Sequence, residues 1–208
     1  MAKPPTVIAT PHTHSARGIL ATIFFSVTFI FTTFPVMAEP PLPENQSLFL
    51  VATEQLEHTS FHEAVILITH HSERGATGLT INRPTDIPLT MAFPHVPQFK
   101  QRNDLLYLGG PVSTNAIFFL LRTNQPNENM HRIAKNIYFS TAQNALTHPS
   151  TNDSRTYAGY VGWAPGQLQT EINRGDWLLI HTEPGIIFEK NTDEIWQRLS
   201  KQWSGQWL

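Results

Sequence analysis

The chain has 208 residues, of which 40% are hydrophobic, a formal net charge of −2 and no cysteine. This length and apolar content suit one globular domain with a packed core and leave little room for two. The charge balance excludes the basic surface that binds a phosphate backbone, so nucleic acid is not an expected partner. The lack of cysteine excludes disulfides, thiolate nucleophiles and cysteine-bound zinc.

The first 38 residues have the order of a secretory signal peptide. Residues 1–17 carry Lys3 and Arg17 but no acid, residues 18–34 are uncharged and apolar, and small or aliphatic residues precede a cleavage point after Ala38. The apolar run is slightly long for a signal peptide and slightly short for a membrane span. We therefore predict a cleaved signal peptide. The alternatives are an uncleaved inner-membrane anchor, with membrane contact only through residues 18–34, and a wrongly assigned start codon.

A short linker and a single domain are predicted to follow. Residues 39–46 are rich in proline, which favours an extended tether because such a segment neither coils nor pairs. Residues 47–208 are predicted to form one domain, which is acidic once residues 1–38 are removed. The export signal predicts a periplasmic or exported protein, with no access to DNA.

Most predicted elements in the first half of the domain are strands. Apolar runs at residues 47–52 and 64–70 predict two of them, the second rich in β-branched residues. Alternation over residues 79–81 predicts a third strand, paired with the second as a hairpin. Residues 85–88 predict the start of a short helix, with Asp86 as its cap.

The second half continues this pattern and ends in a helix. Ile195, Leu199 and Trp203 form an apolar stripe at helical spacing, which predicts the last helix. Strands outnumber helices and do not strictly alternate with them, so the sequence predicts an α+β fold with a mixed sheet. The further strands are predicted at residues 104–108, 116–121, 137–139 and 177–181.

Residues 157–168 predict a strand, a tight turn and an amphipathic helix in succession. Gly162 and Gly166 permit backbone angles that are closed to other residues. Such a turn leaves backbone N–H groups and the positive end of a helix facing outward, beside Trp163 and Gln167. This geometry suits an anion or a partner's carbonyl group. The alternative is a turn with an architectural role only.

The same stretch resembles the signature of a known family. Residues 159–168 are similar to the Gly-Tyr-Ala-Gly-Trp-x-x-Gly-Gln-Leu motif of the YqgE/AlgH family. Residues 75–84 resemble its Gly-Ala-x-Gly-Leu-x-Ile-Asn-Lys/Arg-Pro block, and residues 104–112 contain its Gly-Gly-Pro turn. The resemblance covers residues 47–203 and implies a bifurcated sheet that contains a small closed barrel, flanked by helices. Family members are often described as regulators, and the family has no established biochemical activity.

Several charged or reactive positions of the family differ in this chain. His58-Thr59 stands where members often carry Asp-Pro, and Thr69-His70-His71 stands where they often carry Cys-Glu-His. The apolar residues 116–121 replace a segment that usually contains arginine and histidine. The positions that shape the backbone are kept, so the resemblance supports the fold and disfavours a thiol-based or acid/base mechanism.

We predict a recognition face formed by the two glycine turns and the polar and aromatic residues near them. Arg83 would supply a bidentate cation there. The alternative is that the turns and aromatic rings pack inside the fold. The predicted ligand- or partner-binding residues are His71, Asn82, Arg83, Gly109, Gly110, Pro111, Tyr160, Gly162, Trp163, Gly166 and Gln167.

The favoured function is a non-enzymatic envelope protein that binds an unknown small molecule or envelope protein in a regulatory capacity. The alternative is a hydrolase or metal-dependent enzyme that uses His71 with Asp86 or Glu73. A Ser113, His71 and Asp86 triad lacks the Gly-x-Ser-x-Gly elbow. No residue is predicted as catalytic or as a metal ligand, and the sequence identifies no cofactor.

Overall fold

The computed structural model describes residues 47–100, 103–141 and 153–204. These residues belong to one compact unit, Pro40–Leu208. The predicted signal peptide or anchor (residues 1–38) and the linker (residues 39–46) lie outside the described residues. Within the part that is described, no helix has both the length and the apolar content of a membrane span.

Ten strands and three α-helices make up most of the described chain. The strands are β1 (Ser47–Ala52), β2 (Val65–Ser72), β3 (Gly75–Thr80), β4 (Pro84–Pro88), β5 (Leu105–Leu108), β6 (Val112–Arg122), β7 (His131–Ala134), β8 (Ile137–Ser140), β9 (Asp153–Trp163) and β10 (Trp177–Thr182). The helices are α1 (Leu89–Ala92), α2 (Gln167–Arg174) and α3 (Ile195–Ser204), with 3₁₀ helices at Glu54–Leu56, Pro97–Phe99 and Pro184–Phe188.

The strands form one sheet that forks at β9. Its main path runs β10-β1-β2-β3-β9-β6-β8-β7. One edge of β9 pairs with β6, whereas the other pairs in parallel with β5 near Tyr157 and antiparallel with β3 near Gly162. The sheet curls into a half-barrel whose path is open at β10 and β7. The described pairings therefore show a mostly-sheet fold with a few helices, and they do not show the closed barrel that the resemblance implies.

The main core lies inside this curl and is covered by the C-terminal segment. Phe49, Leu67 and Tyr157 from the strands are completely buried. Ile187 and Ile195, from the last 3₁₀ helix and α3, complete the same cluster. Burial of each such aliphatic side chain contributes about 1.5–3 kcal/mol, so the C-terminal segment is an integral part of the domain.

A short helix is present before Pro94, but its predicted start at residues 85–88 is wrong. These residues form β4, in which Pro84 pairs with Tyr107 and Pro88 pairs with Leu105 of β5. Prolines are tolerated at the ends of this edge strand because no further strand needs their missing N–H groups. The helix is confined to Leu89–Ala92, and no side chain caps it.

Glycines allow two chain segments to cross at the fork. Gly109 donates its N–H to Ala158 O at 2.8 Å and accepts from Thr80 N at 2.8 Å, so it bridges the two branches. A Cβ atom on Gly109 would overlap the carbonyl oxygen of Gly159, and one on Gly110 would overlap the backbone of Tyr160. Gly-Gly is therefore required at this crossing.

Candidate functional site

The signature turn, defined as residues 162–167, joins β9 to α2. Gly162, Ala164, Pro165, Gly166 and Gln167 are exposed, whereas Trp163 is only 6% exposed. Gly166 adopts a φ of 74°, and a Cβ atom built on it would have no neighbour within 4 Å. The predicted strand, turn and helix are confirmed. The backbone of the turn is exposed to solvent, whereas the Trp163 indole within it is buried.

One carboxylate of α2 holds the signature turn in place. Glu171 Oε2 accepts hydrogen bonds from the indole Nε1 atoms of Trp163 and Trp177, both at 2.8 Å. Glu171 Oε1 accepts from Gln167 Nε2 at 2.9 Å, and Gln167 Oε1 accepts from Ala164 N at 3.0 Å. Bonds to a charged acceptor are stronger than neutral ones, so this network makes the turn rigid.

The two indoles also pack against each other and against Phe61. Trp163 and Trp177 meet edge to face with ring centroids 6.2 Å apart, and Phe61 contacts Trp177 at 5.6 Å. Sequence reasoning missed both Glu171 and Trp177. The position of Glu171, four residues after Gln167 on a predicted helix, was the available signal because such residues share a helix face.

Cross-strand pairing brings His71 towards the signature turn. His71 pairs with Ala76, which pairs with Trp163, so the three side chains lie on one face of the sheet. His70 occupies the neighbouring row with Gly162, on the opposite face. Both histidines are exposed, and they flank the turn from different sides.

Tyr160 connects the turn to a row of aromatic rings. Its ring meets Phe118 edge to face at 5.7 Å, and Phe118 stacks on Phe139 at 5.6 Å. A Cβ atom on Gly162 would lie 3.2 Å from Tyr160 Cε2, so the absent side chain leaves room for this ring. Tyr160 is only partly buried and borders the open surface of the turn.

Asn82 and Arg83 serve a different part of the fold. Asn82 is buried, accepts from Val65 N at 2.9 Å and donates to Glu63 O at 2.9 Å. Arg83 donates through Nη2 to the carbonyl of His62. These bonds hold the loop before β2, in which Glu63 has a φ of 52°. The polar atoms of Asn82 and this Arg83 nitrogen are thus engaged with backbone.

The two glycine turns occupy different environments. Gly109 and Gly110 are buried at the fork, with Pro111 exposed just after them, whereas the signature turn is open to solvent. The structure therefore places the predicted binding residues in three regions. These are the exposed signature turn with its neighbours, the buried crossing at Gly109 and Gly110, and the contacts of Asn82 and Arg83 with the loop before β2. A binding role for these residues stays a prediction.

The residues of the enzymatic alternative are all exposed. His71 lies on β2, Glu73 in the β2–β3 turn and Asp86 on the edge strand β4. In residues 47–100, 103–141 and 153–204, no group of three or more histidine or carboxylate side chains is arranged to hold a metal ion. Ser113 has a φ of 50° in the segment where β6 departs from regular pairing with β9.

Comparison with known proteins supports the sequence resemblance. The profile of the AlgH-like family matches residues 49–208. A UPF0301 protein of Vibrio cholerae is 34% identical over 162 residues, covering 72% of this chain and 87% of the relative. A UPF0301 protein of Methylococcus capsulatus is 33% identical over 177 residues, covering 79% and 97% respectively.

Two solved structures share the fold. The solution structure of AlgH from Pseudomonas aeruginosa matches with a TM-score of 0.61 and 26% identity, over 79% of this chain and 89% of that one. A crystal structure from Corynebacterium diphtheriae matches with a TM-score of 0.58 and 28% identity, over 70% and 78%. The resemblance of the signature is thus confirmed, and the chain belongs to the AlgH-like family.

Proposed function

We propose that the domain is a non-catalytic binding protein that recognises a small ligand or a protein partner through the signature turn. The observation that carries this proposal is the Glu171 network. It uses the polar side-chain atoms of Trp163 and Gln167 internally, while Gly162 and Gly166 remain exposed above it. The turn therefore offers backbone groups, and not reactive side chains, for recognition.

Rigidity supports a binding role because a surface that is already ordered loses little conformational entropy when a partner docks. Trp163 and Leu168 anchor the two ends of the turn, each with 6% exposure. Tyr160 and His71 border it with an aromatic ring and an imidazole. Such a surface fits the regulatory role expected of the family. No observation favours the hydrolase or metal-dependent alternative over binding.

Two glycines at opposite ends of α2 provide a matched test. Gly166 and Gly175 both have positive φ, 74° and 87°, and a Cβ atom added to either would meet open space. Asparagine tolerates this conformation, so either Gly→Asn substitution should cost about 1 kcal/mol or less. Gly166→Asn is expected to abolish binding, because it adds a side chain to the recognition surface, whereas Gly175→Asn is expected to preserve it.

The measurement is a thermal shift screen of the purified protein against metabolites, together with capture of partners from an envelope extract. A ligand or partner found with the natural sequence is then tested on both variants. Equal binding by the two variants would place recognition outside the signature turn. If no metabolite shifted the melting temperature and no partner were captured, the binding role itself would be refuted.

Export through residues 1–38 is part of the same proposal. What supports it is the order of the basic start, the uncharged run at residues 18–34 and the small residues before Glu39. Cell fractionation and N-terminal sequencing are expected to find the protein in the periplasm, beginning at Glu39. A membrane-bound protein beginning at Met1 would support the anchor. A cytosolic protein beginning at Met1 would contradict export.

A further inference from the structure

The sheet ends in an open edge at β10. In the described part of the chain, this strand pairs only with β1, and the path of the sheet stops there. Among the described residues, no hydrogen bond joins the outward main-chain groups of Trp177, Leu179 and His181 to another part of the chain. A row of unpaired N–H and carbonyl groups is able to bind one further strand.

The hydrogen bonds at the end of β1 show which groups of β10 point outward. Thr53 N donates to Asp176 O at 3.0 Å, on the β10 side. The preceding residue, Ala52, donates to Ala64 O at 2.9 Å, on the β2 side. Main-chain groups along an antiparallel strand point alternately to its two neighbours. Asp176 and every second residue after it therefore face β1, and the residues between them, with Leu179 at the centre, face outward.

The other outer strands carry features that oppose pairing, whereas β10 does not. The outer strand β4 begins and ends with proline, and β7 has four residues and begins with the exposed His131 and Arg132. Proline, charge and short length commonly keep an edge from pairing. β10 has six residues with no proline or lysine, its register with β1 is regular, and its Leu178 and Leu179 are partly exposed.

We propose that β10 pairs antiparallel with β10 of a second copy of the chain, so that one continuous sheet crosses a two-fold dimer. A two-fold axis at Leu179 places this residue opposite its own copy and Trp177 opposite His181, which satisfies the outward groups of both strands. Leu178 of each copy then lies beside Ile180 of the other, so the partly exposed leucines are covered.

The charges at the two ends of β10 favour an identical copy in this orientation. Arg174, before the strand, and Glu183, directly after it, are both exposed. In the two-fold pairing, Glu183 lies opposite Gly175 and beside Arg174 of the other copy, and this contact occurs twice. Arg174 Nε also donates to both carboxylate oxygens of Asp176 at 3.0 Å, which holds the guanidinium at this end of the strand. A parallel pairing would bring like charges together, so the charges select the antiparallel orientation.

Sedimentation equilibrium of the purified protein over a concentration series tests the dimer. We expect a dissociation constant on the order of 10 µM, because a single strand pair makes a small interface. His181→Pro removes an outward N–H that the monomer does not use, and it is expected to weaken the dimer at least about tenfold. His181→Ala, the matched control, keeps that N–H and is expected to preserve the dimer. Circular dichroism should show that both variants are folded.

A charge reversal tests the same interface without a proline. Glu183→Lys places a cation beside Arg174 of the other copy, so the dimer is expected to weaken about threefold or more at low salt. Glu57→Lys makes the same change at an exposed glutamate away from β10 and is expected to have no effect.

Amide hydrogen exchange locates the contact. The amides of Leu179 and His181 are expected to exchange slowly only at concentrations at which the dimer forms. A monomer at every concentration would overturn the proposal. So would protection of these amides that does not depend on concentration, because the edge would then be covered within one copy. A dimer that both His181→Pro and Glu183→Lys leave unchanged would place the interface elsewhere and would also overturn it.

Discussion

Replacing Gly110 with alanine is expected to destabilise the domain by about 4 kcal/mol or more, or to prevent soluble expression. The new Cβ atom would overlap the carbonyl carbon and oxygen of Tyr160 and lie 2.6 Å from Val161 N. The opposing backbone cannot move aside, because Tyr160 pairs with Val112 and Val161 pairs with Gly78. Accommodation would therefore break strand pairing on both sides of β9.

Gly185→Ala is the matched control for this substitution. A Cβ atom at this position would have one neighbour, Arg122 Nη2 at 3.8 Å, which is an ordinary contact. Urea unfolding followed by circular dichroism should give nearly the natural stability for Gly185→Ala and little folded protein for Gly110→Ala. If Gly110→Ala retained natural stability within about 1 kcal/mol, close packing at the fork would be refuted.

Replacing Glu171 with alanine is expected to lower the free energy of unfolding by about 3 kcal/mol. The substitution leaves the two buried indole N–H groups of Trp163 and Trp177 without their acceptor, and each unsatisfied buried donor costs about 1–3 kcal/mol. In Glu171→Gln one oxygen still accepts from the indoles, but the new amide nitrogen faces the Gln167 Nε2 donor. We therefore expect a smaller decrease in the free energy of unfolding, of about 1 kcal/mol.

Denaturant unfolding and the near-ultraviolet circular dichroism of the tryptophans measure this effect. Glu57→Ala, at an exposed glutamate whose side chain has no described bond, serves as the control and should change stability by less than about 0.5 kcal/mol. A loss for Glu171→Ala no greater than that of the control would show that the network does not support the turn.

The residues of the family motifs have different physical roles. The glycines at the fork allow strands to cross, and Trp163 and Gln167 are held by Glu171. Gly166 accepts from Thr170 through its carbonyl, and a side chain added to Gly166 would meet open space. We infer that the exposed glycine of the signature is the position where a recognition role is best tested without damage to the fold.

Much of the secondary structure was predictable because it depends on near neighbours. Residues 47–52 form β1 as expected, and α2 ends before Gly175, whose φ is 87°. The prediction failed at residues 85–88, where proline and a potential cap indicated a helix start. Pairing with β5 determines that segment, and a partner strand some 20 residues away leaves no local pattern.

The amino-acid order by itself determined the family, the succession of apolar strands and the strand, turn and helix at residues 157–168. These features follow from side-chain periodicity and backbone freedom within a few residues. Only the tertiary structure decided that Gly109 and Gly110 are buried, that Glu171 accepts from two indoles, and that the buried Arg155 bonds the main-chain carbonyls of Ile81 and Glu189. Each of these depends on groups that are separated along the chain and that meet only when the sheet forks and curls.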